Sequence, residues 1–257
     1  MLSEGVAVLR YDRRGEGDST GSPDEATLDD LARDLAACVR VLQAHPRIRS
    51  DRVGVWGISQ GAWLAALAAA EDPSIACVVA VSASGTGPAE QMEYAVATTM
   101  RAAGYDDRAV EMAVSARRAV GRWEDETVDT DEAQALIESI KDEPWFPMAY
   151  IGDLNEDLRA VDRGWSHFDV RPALTRISVP VLLFLGDRDR WVDTVRSREI
   201  WQAGLTRSEL TVVPLPGAGH MPTLATYPDS IAVDESGPTH PAYLMHLRSW
   251  VRSILLS

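Results

Sequence analysis

Short apolar runs alternate with helix-forming stretches over most of the chain. The runs at 6–11, 52–56, 75–81, 179–185 and 210–215 have the length and composition of buried strands. The spacing of apolar residues and the alanine content predict helices at 27–44, 62–70, 193–205 and 241–256. A Pro-rich loop is predicted at 221–240. Strands that alternate with helices imply a mostly parallel, doubly wound sheet, so the predicted fold class is α/β.

The alternation stops between residues 88 and 171. Residues 88–120 and 131–141 have helix-forming composition, and Gly104-Tyr105-Asp106-Asp107 is a predicted break between helices. We therefore predict a helical cap at 88–171, inserted into an α/β core formed by 1–87 and 172–257.

The pentapeptide Gly57-Ile58-Ser59-Gln60-Gly61 lies between a predicted strand and an alanine-rich helix. In this context a sharp turn holds the serine in a strained conformation and pushes its hydroxyl out of the sheet. Both glycines are predicted to be necessary, because a side chain at either position would collide with the neighbouring helix or strand. The simpler alternative is a Gly/Ser turn between two core elements, since the G-x-S-x-G pattern alone is weak.

A serine hydroxyl becomes a good nucleophile only when a base takes its proton and an acid orients that base. In an open parallel sheet, reacting groups gather on the loops at the carboxyl ends of the strands. Asp189 follows the apolar strand 179–185, and His220 follows the strand 210–215 in a glycine-containing loop. We therefore predict a catalytic triad in which Ser59 attacks, His220 is the base and Asp189 orients the imidazole.

Each role has competitors elsewhere in the sequence. For the acid, Asp187 is the next choice and Asp193 the third, and one of the three aspartates is expected to form a turn or helix cap. His240 begins the last helix and suits a cap, whereas His167 would line a substrate pocket or lie in a solvated loop. His45 fits the end of a helix, and His246 fits the surface of the last helix.

No other motif requires further chemistry. Arg13 and Arg14 could form an anion clamp, but a structural turn is the favoured interpretation of their loop. Histidine, cysteine and glutamate residues do not have metal-site spacing, and the Gly15/Gly17 pair does not make a phosphate loop. The predicted reaction therefore needs neither a metal nor another cofactor.

The composition narrows the partners and the compartment. The formal net charge of -14 argues against nucleic acid or an anionic membrane as a partner, because both would repel the chain. Cys38 and Cys77 lie in apolar segments and are interpreted as buried small hydrophobes, which favours a cytoplasmic location. No apolar stretch is long enough to span a membrane, and no signal segment is evident. The expected partner is a small-molecule substrate, and the oligomeric state is not indicated.

The chain order serine, aspartate, histidine is that of the α/β-hydrolases. The stretch Leu9-Arg10-Tyr11-Asp12-Arg13-Arg14-Gly15-Glu16-Gly17-Asp18-Ser19, together with Gly57-Ile58-Ser59-Gln60-Gly61-Ala62-Trp63, resembles bacterial serine esterases related to dienelactone hydrolases and prolyl-oligopeptidase-type domains. The segment 91–145 is similar in character to the helical insertion of that branch. The resemblance implies hydrolysis of carboxylic esters, often with short acyl groups, through an acyl-enzyme on Ser59. It also implies that the Gln60 backbone amide donates to the oxyanion.

The start of the chain departs from that family. Its members normally have earlier strands, and a loop, often carrying His-Gly, that supplies a second oxyanion donor. One missing strand would lie between 6–11 and 53–56. We therefore expect that Met1 is an internal methionine of a longer product. The alternative is that these two strands pair directly. Loss of a donor typically costs about 3 kcal/mol, or roughly 100–1,000-fold in rate.

The expected activity depends on that missing donor. The sequence as written is predicted to be a weak or inactive esterase that an extended N-terminus would restore, unless the Tyr11 hydroxyl substitutes as donor. The alternatives are a thioesterase or peptidase with the same triad, or a truncated non-catalytic remnant.

Overall fold

The computed structural model describes residues 5–155, 157, 159–224 and 237–256. Within them, four strands form one parallel sheet in the order β1-β2-β3-β4. The strands are β1 (Val55–Ile58), β2 (Val78–Val81), β3 (Val181–Gly186) and β4 (Leu210–Leu215). All four carboxyl ends therefore lie at the same edge of the sheet, and the predicted α/β class is confirmed.

Helices connect and cover the strands. They are α1 (Leu28–Gln43), α2 (Gln60–Glu71), α3 (Pro88–Ala102), α4 (Asp107–Glu124), α5 (Thr130–Ile140), a 3-10 helix (Phe146–Ala149), α6 (Arg159–Ser166), α7 (Arg171–Leu174), α8 (Thr194–Gly204) and α9 (Pro241–Leu255). None of the helices in the described ranges is both long and apolar enough to cross a membrane. Helices α3 to α7 lie between β2 and β3, where the sequence predicts a cap; its boundaries at 88 and 171 stay a prediction.

The central strands of the sheet are buried on both faces, as is typical of a parallel sheet. On one face, α2 and α8 cover alternate strand residues such as Val78, Ala80 and Leu183. On the other face, Tyr243 and other residues of α9 pack against the remaining ones, which include Phe184. Residues of β2 and β3 are buried along their whole length. This burial fixes the two central strands from which the site loops start.

The strand predicted at 6–11 is wrong. Residues 6–11 have no strand conformation, and Val8 is 57% exposed while Tyr11 is 38% exposed. Among the described residues β1 pairs only with β2, and Trp56 of β1 is 49% exposed. An apolar run becomes a strand only where a neighbouring strand exchanges backbone hydrogen bonds with it, and 6–11 has no such neighbour here. Direct pairing of 6–11 with β1 is therefore not observed.

Most of the loop predicted at 221–240 lies outside the described residues. The described ends of that segment meet in antiparallel bridges between Ala218 and Leu224 and between Thr223 and Thr239. These bridges bring the chain back towards the loop after β4 before α9 begins.

Candidate active site

Ser59 occupies a strained turn between β1 and α2. Its backbone has φ 53° and ψ -122°, in the region that side chains rarely adopt. The Ser59 N–H donates to the Val81 carbonyl at 2.9 Å, and the Ser59 carbonyl accepts from the Ala62 N–H at 2.9 Å. A conformation of this kind costs on the order of 1–3 kcal/mol and persists because the surroundings hold it. This strained turn from strand to helix is the local geometry that the prediction of a nucleophile elbow requires.

The two glycines of the elbow differ in what they contribute. A Cβ on Gly57 would lie 1.9 Å from the Gly61 carbonyl oxygen, so this position requires glycine. A Cβ on Gly61 would have nothing within 4 Å. The prediction that both glycines are sterically necessary is therefore wrong for Gly61, because its missing side chain would point into open space from the first turn of α2.

Asp189 is a buried carboxylate on the loop after β3. Its side chain has 0% exposure. One oxygen, Oδ1, accepts from the backbone N–H groups of Trp191 at 2.8 Å and Val192 at 3.0 Å. The other, Oδ2, lies 2.9 Å from Nδ1 of His220. These donors compensate the loss of water around the carboxylate and hold it in one orientation.

His220 lies on the loop after β4, and its side chain is 12% exposed. An ionised carboxylate only accepts hydrogen bonds, so opposite such a group Nδ1 of His220 is the donor, and Nε2 of the neutral imidazole then carries no proton. Within the described part of the chain, no hydrogen bond joins Ser59 to His220. That bond is often long in an enzyme without substrate and shortens in the reactive complex.

The elbow and the histidine loop are nevertheless linked through the end of β2. Val81 accepts the Ser59 N–H, and the hydroxyl of the next residue, Ser82, donates to the backbone carbonyl of His220. The structure thus brings Asp189 and His220 into direct contact and places Ser59 one strand away from Ser82, at the same edge of the sheet.

The competing aspartates have structural partners. Oδ1 of Asp187 accepts the Gly217 N–H at 2.6 Å, which joins the loop after β3 to the loop after β4. Asp193 caps α8 by accepting the Arg196 N–H at 3.0 Å. The sequence predicts that one of the three aspartates forms a turn or a helix cap, and the helix cap formed by Asp193 fits that prediction.

The other histidines lie in different settings. His240 caps α9, as predicted, by accepting the Ala242 N–H at 3.2 Å. His167 is 58% exposed and its Nε2 contacts Asp125. His45 is exposed and accepts the Arg47 N–H at 3.2 Å, and His246 lies within α9. Only His220 contacts a buried carboxylate among the described histidines.

The loop that follows residues 6–11 is built on structural contacts. Arg14 donates to both carboxylate oxygens of Asp34 at 2.8 Å, and this hydrogen bond raises the pKa of Arg14. Burial raises the pKa of the Tyr11 hydroxyl, and the nearby Cys38 and Asp34 raise it further. The Tyr11 hydroxyl thus lies beside α1, and no described hydrogen bond joins it to Ser59. The contacts of Arg14 agree with the structural interpretation of this loop.

Gln60 is the first residue of α2, where backbone N–H groups lack an intrahelical acceptor. Its N–H has no hydrogen-bond partner among the described residues. The positive end of the helix dipole adds to the attraction for an anion at this point. The geometry therefore suits the oxyanion role that the resemblance implies for Gln60.

Sequence reasoning missed three residues beside the Asp189–His220 pair. Ser82 has φ 49° and is 2% exposed. The Trp191 ring lies 6.3 Å from the His220 ring and 4.9 Å from the ring of Tyr150, which belongs to the segment between β2 and β3. A serine immediately after a buried strand and a tryptophan two positions after Asp189 were the only signals in the sequence.

A serine elbow and a hydrogen-bonded Asp–His pair thus lie at the carboxyl edge of a parallel sheet. The sequence model of the alpha/beta hydrolase family matches residues 1–234, and the chain belongs to this family. Among curated proteins, none matches the chain in sequence.

Several solved structures have a similar fold. DcsB, solved in complex with its substrate analogue, is 18% identical with a TM-score of 0.58, over 96% of this chain and 80% of DcsB. The Pyrococcus furiosus esterase Pf2001 is 19% identical with a TM-score of 0.57, over 99% of this chain and 71% of the esterase. The alpha/beta hydrolase GrgF from Penicillium sp. sh18 is 18% identical with a TM-score of 0.55, over 96% and 79% of the two chains. At these identities the likeness concerns the fold.

Proposed function

We propose that this protein is a serine hydrolase that cleaves carboxylic esters through an acyl-enzyme on Ser59. The observation that carries the proposal is the buried Asp189–His220 pair at the sheet edge where Ser59 occupies a strained elbow. Membership of a family of hydrolases supports the reaction class, and the esterase with a similar fold supports esters as substrates.

Each group has one role in the proposed reaction. Nε2 of His220 takes the hydroxyl proton of Ser59 as the oxygen attacks the ester carbonyl, and Asp189 stabilises the imidazolium. The Gln60 N–H donates to the oxyanion of the tetrahedral intermediate. His220 then gives its proton to the departing alcohol, which leaves the acyl group on Ser59. Water activated by His220 hydrolyses this acyl-enzyme and regenerates the serine.

The preference for short acyl groups rests on the resemblance to dienelactone-hydrolase-like esterases. A series of p-nitrophenyl esters from acetate to decanoate tests it directly. We expect kcat/KM to be highest for the short esters and to decrease as the acyl chain lengthens. A maximum at the long-chain end would contradict the short-acyl assignment without affecting the proposed triad.

The catalytic proposal is tested with a fluorophosphonate probe, which reacts with an activated serine. We expect the wild-type protein to be labelled at Ser59, with no labelling of Ser59→Ala and much slower labelling of His220→Ala. His45→Ala is the matched control, because His45 is exposed and its imidazole accepts the Arg47 N–H far from the Asp189–His220 pair in sequence. Failure of the folded wild-type protein to react would contradict the proposal and favour a non-catalytic member of the family.

A further inference from the structure

Ser82 is a buried polar residue that the proposed reaction does not use. It follows β2 directly, it is 2% exposed, and its φ of 49° lies in the left-handed region. Glycine adopts that region without strain, whereas serine does so at a cost. The serine at this position adds a hydroxyl group, and that hydroxyl has a specific partner.

Ser82 and the preceding residue, Val81, are hydrogen-bonded to the elbow, to the strand before Asp189 and to the loop that carries His220. Its hydroxyl donates to the backbone carbonyl of His220, 138 positions further along the chain. Its N–H donates at 2.9 Å to the carbonyl of Phe184, on the strand that leads to Asp189. The preceding residue, Val81, accepts the N–H of Ser59. The dipeptide Val81-Ser82 at the carboxyl end of β2 thus contacts the elbow, the strand that precedes Asp189 and the histidine loop.

We propose that Ser82 is a positioning residue for His220, a role that rests on the proposed function. The Asp189 carboxylate fixes Nδ1 of the imidazole, which is one point of attachment. The Ser82 hydroxyl fixes the backbone of the same residue, which is a second point. Other bonds hold the loop before His220, since the Gly217 N–H donates to Asp187 and the Ala218 carbonyl accepts the Arg188 N–H. The Ser82 bond acts on the backbone of His220 itself and, together with Asp189, defines the direction in which Nε2 points.

The loop itself explains why a second attachment matters. His220 follows Gly217-Ala218-Gly219, and Gly217 has φ 80°. Glycine has more backbone freedom than other residues, and Gly219 separates His220 from the bonds that hold Gly217 and Ala218, so a bond to the backbone of His220 itself restricts this residue further. The inward-facing carbonyl of His220 would also lose its side-chain donor if Ser82 lost its hydroxyl.

The test uses Ser82→Gly, which removes the hydroxyl and also suits the left-handed backbone, so the variant is expected to fold. Ser82→Ala removes the same hydroxyl but keeps the backbone strain. Ser84→Ala is the matched control, because Ser84 is also 2% exposed and its hydroxyl bonds only within the loop, to Thr86.

The decisive measurement is the proton NMR resonance of His220 Nδ1–H, assigned by its loss in His220→Ala. We expect this proton to exchange with water about tenfold faster in Ser82→Gly and Ser82→Ala, the factor given by loss of one hydrogen bond of ordinary net strength. Ser84→Ala should exchange as the wild type does. An unchanged exchange rate in Ser82→Gly would overturn the positioning role, whether or not the protein is an active esterase.

Kinetics supply a second readout. In the active enzyme, kcat should fall about tenfold in both Ser82 variants while KM changes little, since the hydroxyl does not contact substrate. A purely structural role predicts a lower melting temperature with an unchanged kcat per folded molecule, and that result would count against the proposal. An inactive wild type contradicts the proposed function alone, and the NMR exchange rates then decide the role of Ser82.

Discussion

Replacing Gly57 by alanine tests the close approach between β1 and α2. The added Cβ would lie 1.9 Å from the Gly61 oxygen, 2.1 Å from the Gly61 carbonyl carbon and 2.7 Å from the Ala62 nitrogen. Real Cβ atoms essentially never lie closer than 3.0 Å to such atoms, so the turn must move by about 1 Å. The contacts are with backbone, which no side-chain rotation can relieve. We expect Gly57→Ala to lower the free energy of unfolding by about 3 kcal/mol or more.

Gly61→Ala is the matched comparison within the same pentapeptide. Its Cβ meets nothing within 4 Å and its φ is negative, so alanine there should raise the free energy of unfolding by about 0.5–1 kcal/mol. Urea denaturation followed by circular dichroism measures both variants. The reasoning would be refuted if Gly57→Ala were within about 0.5 kcal/mol of wild type, or if the two variants were equally destabilised.

Two further predictions concern the buried acid and a buried thiol. Asp189→Asn should lower kcat for p-nitrophenyl acetate by about 10⁴-fold, because the amide favours the wrong imidazole tautomer. Asp187→Asn should keep a kcat near that of the wild type, since its side-chain oxygen still accepts the Gly217 N–H. Equal losses of kcat in the two variants would contradict the assignment of Asp189 as the acid. Burial raises the pKa of the Cys77 thiol from 9.0 to about 12, so from pH 9 towards 12 the unfolded chain loses this proton while the folded chain keeps it. The free energy of unfolding should therefore decrease with pH more steeply in the wild type than in Cys77→Ala, by up to about 1.4 kcal/mol per pH unit, and parallel urea-derived pH curves for the two proteins would rule this out.

The sequence predicted the two central strands and the break between α3 and α4 correctly, because the signals for these elements are local. The strands around Val78–Val81 and Val181–Gly186 are long apolar runs that are buried on both faces, and the break predicted at 104–107 separates α3 from α4, with Gly104 at φ 86°. The run at 6–11 has a similar composition but has no neighbouring strand among the residues that the structure describes, and strand formation depends on such a non-local partner. The hydrophobic pattern of a run does not show whether a neighbouring strand is present to pair with it.

The residues of the candidate site likewise differ in whether the sequence could predict them. Asp189 and His220 were predictable because each follows an apolar strand, and parallel strands bring such loops to one edge. Ser82 was not, because its left-handed backbone and its bond to a carbonyl 138 residues away are properties of the folded chain. The steric difference between Gly57 and Gly61 depends on the direction of each Cβ relative to the turn, which a symmetric five-residue pattern conceals.

Trp191 contacts both the helical segment between β2 and β3 and the Asp189–His220 pair. Its ring packs against Tyr150, whose carbonyl accepts from Arg117 at 3.0 Å, while its backbone N–H binds Asp189 and the same ring lies beside His220. A change in the packing of Tyr150 on Trp191 would therefore reach both members of the Asp189–His220 pair through a single side chain.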